Sequence, residues 1–422
     1  MSRHVLVVGG GVIGLCTALY CAQRGWRVTV VERNGEQRDG CSFQNAGIVV
    51  PSHFVPLAAP GMVALGLKWM WNPASPFYIK PRASWDLVDW ALKFRRAATA
   101  AHVRRAAPVL RDLTFASRDC FEQLAMPEND FGFVKSGTLM LCRTRHALEE
   151  ETRTADLARA LGIPAEVLDA GQTAAIDPGV RMDIAGSVHY PGDCRVTPDR
   201  LMGSLQRRLA QAGAQFLWNT EVTDWRVDDN NEGNGKVRAV KSSDGREIEA
   251  DEFVLSAGSW SPQLARALGI KLPMQAGKGY SLTLPRPRQS PQFCAILTEA
   301  RVAVTPMDGA LRFAGTMEIA GLNEDITPAR VRGIIDAVPR YYPDLERADF
   351  EGIQPWRGLR PCSPDGLPYL GRTARYSNLV VATGHAMMGI TLGPITGSLA
   401  ADILSGEKPG LDLALLSPDR YQ

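Results

Sequence analysis

The apolar positions of this chain fall into short unbroken runs, period-two stretches and helical stretches in a readable order. Val5-Leu6-Val7-Val8 is uninterrupted, the pattern of a strand buried on both faces of a parallel sheet. Residues Leu15 to Arg24 read as a helix that Gly25 ends, and Val28-Thr29-Val30-Val31 is a second buried strand finishing on Glu32. A polar loop to Gly40 leads through Cys41-Ser42-Phe43-Gln44-Asn45-Ala46-Gly47 into the apolar Ile48-Val49-Val50. Residues 51–81 are irregular and rich in Pro, Gly and Trp. From Ser84 the spacing predicts helix through Leu124, interrupted at Pro108. Phe131 to Cys142 predicts a strand pair around Gly137, and His146 to Leu161 a helix.

A second αβ unit follows. Thr197-Pro198-Asp199, a capping hydroxyl before a proline, predicts the start of a helix reaching Ala212, with Gln215 to Trp218 as the next strand. Residues Val222 to Val227, Val237 to Val240 and Glu247 to Ala250 predict a meander with Asn/Gly and Asp244-Gly245 turns. Phe253-Val254-Leu255-Ser256-Ala257-Gly258 is another buried strand ending in small residues. Strands at Tyr280 to Leu284, Val302 to Thr305 and Leu311 to Gly315 form a separate β-rich block, and Thr327-Pro328 starts a helix. Leu379 to Gly384 is a last strand, followed by a glycine-bearing turn and a helix from Gly393 to Leu404 that Gly406 closes.

The first strand runs into Gly9-Gly10-Gly11-Val12-Ile13-Gly14, the G-x-G-x-x-G spacing. Gly9 makes the turn, Gly11 lets a pyrophosphate approach the backbone, and Gly14 lets helix and strand pack closely. The helix start offers unpaired N–H groups and the positive end of its dipole to phosphates. Glu32, followed by Arg33, stands at the distance from which a carboxylate accepts hydrogen bonds from ribose hydroxyls. Flanked by strand, helix, strand and acid, the motif predicts a bound dinucleotide.

Composition adds exclusions. The chain of 422 residues is 45% hydrophobic and 22% charged, with a formal net charge of +2, which gives no reason to expect a nucleic-acid partner. Its 8 cysteines are scattered without a C-x-x-C pair, so neither a zinc site nor a disulfide scaffold is expected and no metal is assigned. With no secretory leader and no run of about 18 apolar residues, a cytoplasmic protein is expected.

Several segments resemble one family. Thr383-Gly384-His385-Ala386-Met387-Met388-Gly389-Ile390-Thr391 is similar to the C-terminal flavin segment of the D-amino-acid oxidase and glycine oxidase superfamily of FAD-dependent oxidoreductases. Gly358-Leu359-Arg360-Pro361, with Ser363-Pro364-Asp365-Gly366 after it, resembles that family's substrate-arginine segment. Asn45-Ala46-Gly47, Lys278-Gly279-Tyr280-Ser281 and Lys68-Trp69-Met70 are shared with its bacterial D-amino-acid dehydrogenases. The resemblance spans Val5 to Gly406.

It implies an α/β plus α+β fold. A discontinuous Rossmann-like FAD-binding domain (1–56, 192–270 and 360–422) would carry an inserted, mostly antiparallel β substrate domain with helices (57–191 and 271–359). It also implies a cofactor-binding set: Gly9, Gly11, Val12, Ile13, Gly14, Glu32, Arg33, Ser42, Gln44, Asn45, Ala46, Gly47, Val222, Ala257, Gly258, Arg360, Gly384, His385, Met388, Gly389, Ile390 and Thr391. The substrate pocket would hold His53, Tyr280, Met317, Glu318 and Arg360. Cys362 is offset from the attachment cysteine of covalent members, so the FAD is expected to be non-covalent.

The chemistry expected is oxidation of an amino acid of D configuration at its Cα–N bond, with Arg360 gripping the carboxylate through two parallel hydrogen bonds. An arginine in a surface salt bridge is the alternative. Tyr280 is either a donor to that carboxylate or a β-sheet tyrosine. Backbone N–H groups of 384–391 would face charge developing on the reduced flavin, with His385 as a contact and not a base. The same chemistry on D-proline or D-hydroxyproline, a nicotinamide dehydrogenase, and a non-catalytic flavin subunit are the other readings. The electron acceptor is left open among oxygen, a quinone and a partner flavoprotein. Lys93, Arg95, Arg96, Arg104, Arg105 and Arg111, near Trp69, Trp71, Trp85 and Trp90, are either a solvated helix face or a peripheral contact with an anionic membrane.

Overall fold

The computed structural model describes residues 3–69, 75–126, 128–228 and 235–422. Met70, Trp71 and the expected Asn/Gly turn at 229–234 lie outside the described residues.

The unbroken apolar runs form one sheet. Its strands stand in the order Tyr369–Arg372, Leu379–Thr383, Glu252–Leu255, His4–Val8, Arg27–Val31, Gln215–Leu217. Every neighbouring pair is parallel except the hairpin at 369–383. His4–Val8 is flanked on one side by the strand after it and on the other by Glu252–Leu255, and a crevice at the carboxyl ends opens where strand order reverses in this way. Val5, Leu6 and Val7 are fully buried, as a strand covered on both faces must be.

The helix Pro198–Gln211 covers one face of this sheet together with a close pair of helices, Val12–Gln23 and Gly389–Ser405. The pair packs closely because Gly397 lies against the Cys16 backbone, where a Cβ would stand 2.5 Å from the Cys16 carbonyl carbon. The second helix begins at Gly389, four residues before the expected Gly393, and ends on the left-handed Gly406. The segment Ala386–Ser405 is long and apolar enough to cross a membrane by composition, but it is mostly buried inside the protein. The meander is present as Val222–Asp228, Lys236–Ser242 and Glu247–Glu249.

The β-rich block is larger than the sequence suggests. A mixed, mostly antiparallel sheet runs Trp356–Cys362, Gln275–Leu284, Ala310–Ile319, Val302–Met307, Cys294–Leu297, Thr138–Cys142, Gly186–Tyr190, Glu166–Asp169, with Phe77–Ile79 pairing in parallel on Ala310–Ile319. One face packs on the helix Pro328–Tyr341 through Tyr280, Leu282, Phe313 and Ile334. The other faces the parallel-sheet unit.

Four sequence expectations need correction. The helix break falls at Ala98-Thr99, between Trp85–Ala97 and Ala100–Leu124, and Pro108 sits inside the second helix. Thr99 accepts from the His102 N–H and starts that helix. Burial of Ala106, Ala107, Leu110, Leu113 and Phe121 then outweighs the one helical bond a proline removes. Only Thr138–Cys142 of the expected pair is a strand; before it, Val134 forms a single bridge to Arg195, while Phe133 stacks on Phe121. Residues 51–81 contain a helix, Met62–Trp69, and the strand Phe77–Ile79. Thr197 makes no capping bond, so Pro198 marks the helix start by its fixed φ alone.

Candidate functional site

The cleft forms where the first strand ends. Gly9 turns the chain at φ +107°, and Gly14 stands so close that a Cβ would lie 1.9 Å from the Gly9 carbonyl oxygen. The helix Val12–Gln23 starts without an acid in its first turn and without a capping side chain at Gly11, so no negative charge of its own offsets its positive end. Ser42 Oγ accepts from the Val12 N–H at 3.1 Å and ties the loop 41–47 to this helix end.

Glu32 is buried and already oriented: one carboxylate oxygen accepts from Gly10 N–H at 2.8 Å, the other from Asn34 N–H at 2.9 Å. Each oxygen keeps a second lone pair for a ligand hydroxyl. Arg33 lies flat over Trp260 at 3.6 Å, and Arg38 sits over Phe43 and Trp218 while donating to the Gly10 carbonyl at 2.6 Å. Burial pushes the Arg38 pKa down, with Glu32 acting against it. The cleft wall is completed by Val222, by Ala257 and Gly258 after the strand Glu252–Leu255, and by the Asp39–Arg357–Glu324 ion pairs across its mouth. Arg38, Trp260 and Arg357 had no signal in the sequence, because a single Arg or Trp in a loop has no pattern.

At the far end His385 is buried with Nε2 2.9 Å from Thr396 Oγ1. Its Nδ1 has no partner among the described residues, although the ring lines the cleft. Desolvation pushes its pKa down to about 3, so the imidazole is neutral near pH 7. A buried, unpaired ring nitrogen on a cleft wall is a group waiting for a ligand. Gly389 and Ile390 line the same wall at the uncapped start of Gly389–Ser405.

Of the expected cofactor set, Gly9, Gly11, Val12, Ile13, Glu32, Arg33, Ser42, Asn45, Val222, Ala257, Gly258, His385, Gly389 and Ile390 line one cleft. Gly14, Gln44, Ala46, Gly47, Gly384, Met388 and Thr391 are not among the residues that line it. Thr391 Oγ1 donates to the Ile48 carbonyl and accepts from Val50 N–H, and Met388 is packed into the core.

Arg360 lies on the strand Trp356–Cys362 between two lining residues, Leu359 and Pro361. Its guanidinium rests on Gly279, where a Cβ would stand 2.2–2.3 Å from it, and Nη1 donates to the Thr316 carbonyl at 2.6 Å. Thr316 has φ +68°, uncommon for a β-branched residue, at a register shift between Ala310–Ile319 and its neighbour. No carboxylate among the described residues reaches within ion-pair distance of Arg360, so the surface salt-bridge alternative is not what the structure contains. The following turn is structural: Asp365 is clamped by Arg420 at 2.8 and 3.0 Å, and Ser363 Oγ donates to the Leu367 carbonyl.

Tyr280 and Glu318 are corrections. In Gln275–Leu284 side chains alternate, so Gly277 and Gly279 meet Arg360's side of the sheet while Lys278 and Tyr280 point to the opposite core. The Tyr280 hydroxyl donates to Glu318 at 2.6 Å and accepts from Thr327 N–H at 3.2 Å, and Lys278 Nζ lies 3.7 Å from Glu318. This is a closed polar cluster under the helix Pro328–Tyr341, out of reach of a ligand on Arg360. Met317 is on Arg360's side but packed among Leu87, Trp90, Ile319 and Cys362. His53 is exposed to solvent and does not line the cleft, and desolvation, then Arg301, pushes its pKa down. Cys362 is fully buried and its thiol pKa is pushed up to about 12 by burial, which leaves it protonated and unreactive.

Residues 4–403 match the model of the FAD dependent oxidoreductase family. The chain is 34% identical to a D-amino acid dehydrogenase of Agrobacterium fabrum, over 99% of each chain. It is 34% identical to one of Bradyrhizobium diazoefficiens, over 99% of this chain and 98% of the other. The solved glycine oxidase of Geobacillus kaustophilus shares the fold at a TM-score of 0.78 and 24% identity, over 100% of both chains. Fold, glycine-rich turn, buried Glu32 and full-length match agree, and the chain belongs to the FAD dependent oxidoreductase family.

Proposed function

We propose that this protein oxidises a D-amino acid at its Cα–N bond with a non-covalently bound FAD, giving the 2-oxo acid and ammonia. One observation carries the reading: a partly buried guanidinium, Arg360, oriented by Thr316 and Gly279 and without a carboxylate of its own, at the edge of a dinucleotide cleft. The full-length similarity to proteins named D-amino acid dehydrogenase supports the substrate class.

The residues present fit FAD. Glu32 offers the ribose hydroxyls two preoriented acceptors, and the start of Val12–Gln23, with no acid in its first turn, suits the pyrophosphate. The unpaired His385 Nδ1 and the uncapped start of Gly389–Ser405 suit a ring that gains negative charge. When bound, FAD supplies the acceptor for the Cα hydrogen, transferred as hydride. The chain's own contribution is alignment. Arg360 fixes the carboxylate plane and thereby the direction of the Cα–H bond, and no side chain needs to move a proton if the amine binds neutral. The amino acid loses that hydride and one N–H proton, and water hydrolyses the resulting imino acid.

The proposed organisation keeps the two domains expected from sequence, although the strand Trp356–Cys362 pairs with Gln275–Leu284 along its whole length, so residues 360–362 lie in the mixed sheet. The proposal also includes a membrane contact through the helix Trp85–Ala97. Trp85, Val88 and Leu92, 87%, 46% and 51% exposed, share one face beside the exposed Arg95 and Arg96. That face favours a membrane quinone as electron acceptor. Co-flotation with anionic but not neutral vesicles tests it.

The deciding experiment is anaerobic addition of D- and L-amino acids, including D-proline and D-hydroxyproline, to the yellow protein. Bleaching by D-amino acids is expected, with FAD released into the supernatant by acid. Yellow protein that no amino acid bleaches overturns the activity, and bound NAD without flavin overturns the cofactor.

A further inference from the structure

Two polar side chains of the mixed sheet reach across to the loop 44–47 and hold consecutive peptides. Ser281 Oγ donates to the Gln44 carbonyl at 3.0 Å, and Arg312 Nη1 donates to the Asn45 carbonyl at 2.9 Å. Arg312 is itself fixed by Nε, which donates to Thr283 Oγ1 at 3.0 Å. Ser281 and Thr283 alternate with Tyr280 and Leu282, so both face the parallel-sheet unit and not the core under Pro328–Tyr341.

In a trans peptide the carbonyl of one residue and the N–H of the next point in opposite directions. Drawing the Gln44 and Asn45 carbonyls toward the sheet therefore turns the Asn45 and Ala46 N–H groups away from it. Among the described residues neither N–H has an acceptor, while Gly47 N–H is taken by Asn45 Oδ1 at 2.8 Å. Asn45, Ser42 and Phe43 line the dinucleotide cleft. Asn45 and Ala46 are half-buried, so a ligand in the cleft that accepts from these N–H groups would take the place of solvent there.

Arg312 is also unusual as a charge. It is 7% exposed, yet no carboxylate among the described residues comes within ion-pair distance. Desolvation pushes its pKa down, against the more distant Asp199. A buried cation that is paired only with neutral oxygens leaves its field uncancelled locally.

We propose that Arg312 and Ser281 are positioning residues. They lock the 44–46 peptides so that two N–H donors and the field of a buried guanidinium bear on the flavin, and they raise the potential at which it accepts electrons. This rests on FAD occupying the cleft.

The test is reductive titration of the purified holoenzyme against a reference dye, with FAD content measured in parallel, for wild type, Arg312→Gln, Arg312→Lys and Ser281→Ala. In Arg312→Gln the reduced flavin should be held about tenfold more weakly relative to the oxidised form, a fall of about 30 mV for a two-electron couple. Arg312→Lys, which keeps charge but not the forked grip, should fall between, and Ser281→Ala should shift least. Each should also move the visible absorption bands of the oxidised protein. If Arg312→Gln fails to fold, Thr283→Val removes only the brace on Nε and should lower the potential in the same direction. Variants that keep their FAD, the wild-type potential and the wild-type spectrum overturn the inference. A wild-type protein without FAD overturns the proposed function instead.

Discussion

Glu32 and Arg360 are the two charged residues on which the site depends, and the protein holds them differently. Glu32 takes its partners from its own βαβ unit, the amides of Gly10 and Asn34, 22 and 2 residues away. Arg360 takes its hydrogen bond from Thr316, 44 residues away on another strand, and its seat from the missing side chain of Gly279 on a third. The carboxylate is positioned by a local turn and the guanidinium by the register of a sheet. Local devices recur with fixed spacing and register-dependent ones do not, so the two should also fail differently when disturbed.

The largest effect is expected at Arg360. Arg360→Lys keeps the charge but loses the planar fork, so flavin reduction by the best D-amino acid should slow about 100-fold, as for a reacting bond displaced by about 1 Å. Stopped-flow reduction under anaerobiosis measures it, with FAD content unchanged. Gly279→Ala disturbs the same group through its seat and should slow reduction to a comparable or smaller extent. Wild-type kinetics in Gly279→Ala would show that the guanidinium does not need that seat.

Glu32→Ala should act on the cofactor and not on the substrate. Loss of a hydrogen bond to a charged acceptor is worth about 1.5–3 kcal/mol, so FAD should dissociate more readily in dilution or gel filtration. Once saturated with FAD, the variant should be reduced at the wild-type rate. A slowed rate at saturation would merge the two halves of the comparison.

Asp193 extends the comparison to a buried carboxylate held outside the site. It accepts from the Ser52 N–H and hydroxyl, beside His53, and burial raises its pKa to about 7. Between its ordinary value near 4 and about 7 the unfolded chain releases this proton while the folded protein keeps it. Stability should therefore fall with rising pH across that window, by at most about 1.4 kcal/mol per unit, and level off above it. Asp193→Asn should remove this slope in denaturant titrations at several pH values. An unchanged slope would assign it to other groups.

The smallest effect is expected at Tyr280. Tyr280→Phe removes two buried hydrogen bonds on the far side of the sheet, to Glu318 and from Thr327, and should cost about 1–3 kcal/mol of stability with substrate oxidation unaltered. A large loss of activity would return Tyr280 to the site.

Much of the parallel sheet was legible because its strands are unbroken apolar runs and its ligand loops adjoin them. The same contiguity exposed Gly9, Gly11, Glu32 and His385. Tyr280 and Glu318 misled because Lys278-Gly279-Tyr280-Ser281 straddles the sheet, two residues facing each way, and only the pairing of this strand with Trp356–Cys362 decides which pair meets Arg360. Arg312 was invisible for a related reason: its partners, Thr283 and Asn45, come from two distant segments. Pro108 misled because local propensity was outweighed by burial along Ala100–Leu124.

The packing of Gly397 against Cys16 has a consequence for how the protein is made. The first strand gains its neighbour Glu252–Leu255 only after most of the chain has been synthesised, and the helix behind the glycine-rich turn gains its partner later still. While the ribosome is working, Val5 to Val8 and one face of Val12–Gln23 have no permanent cover, and contacts of such long sequence separation form slowly. The FAD site is thus assembled last although its signature is translated first. A ribosome stalled before residue 389 should carry a nascent chain that is protease-sensitive throughout its N-terminal unit and needs chaperone protection until Gly389–Ser405 arrives.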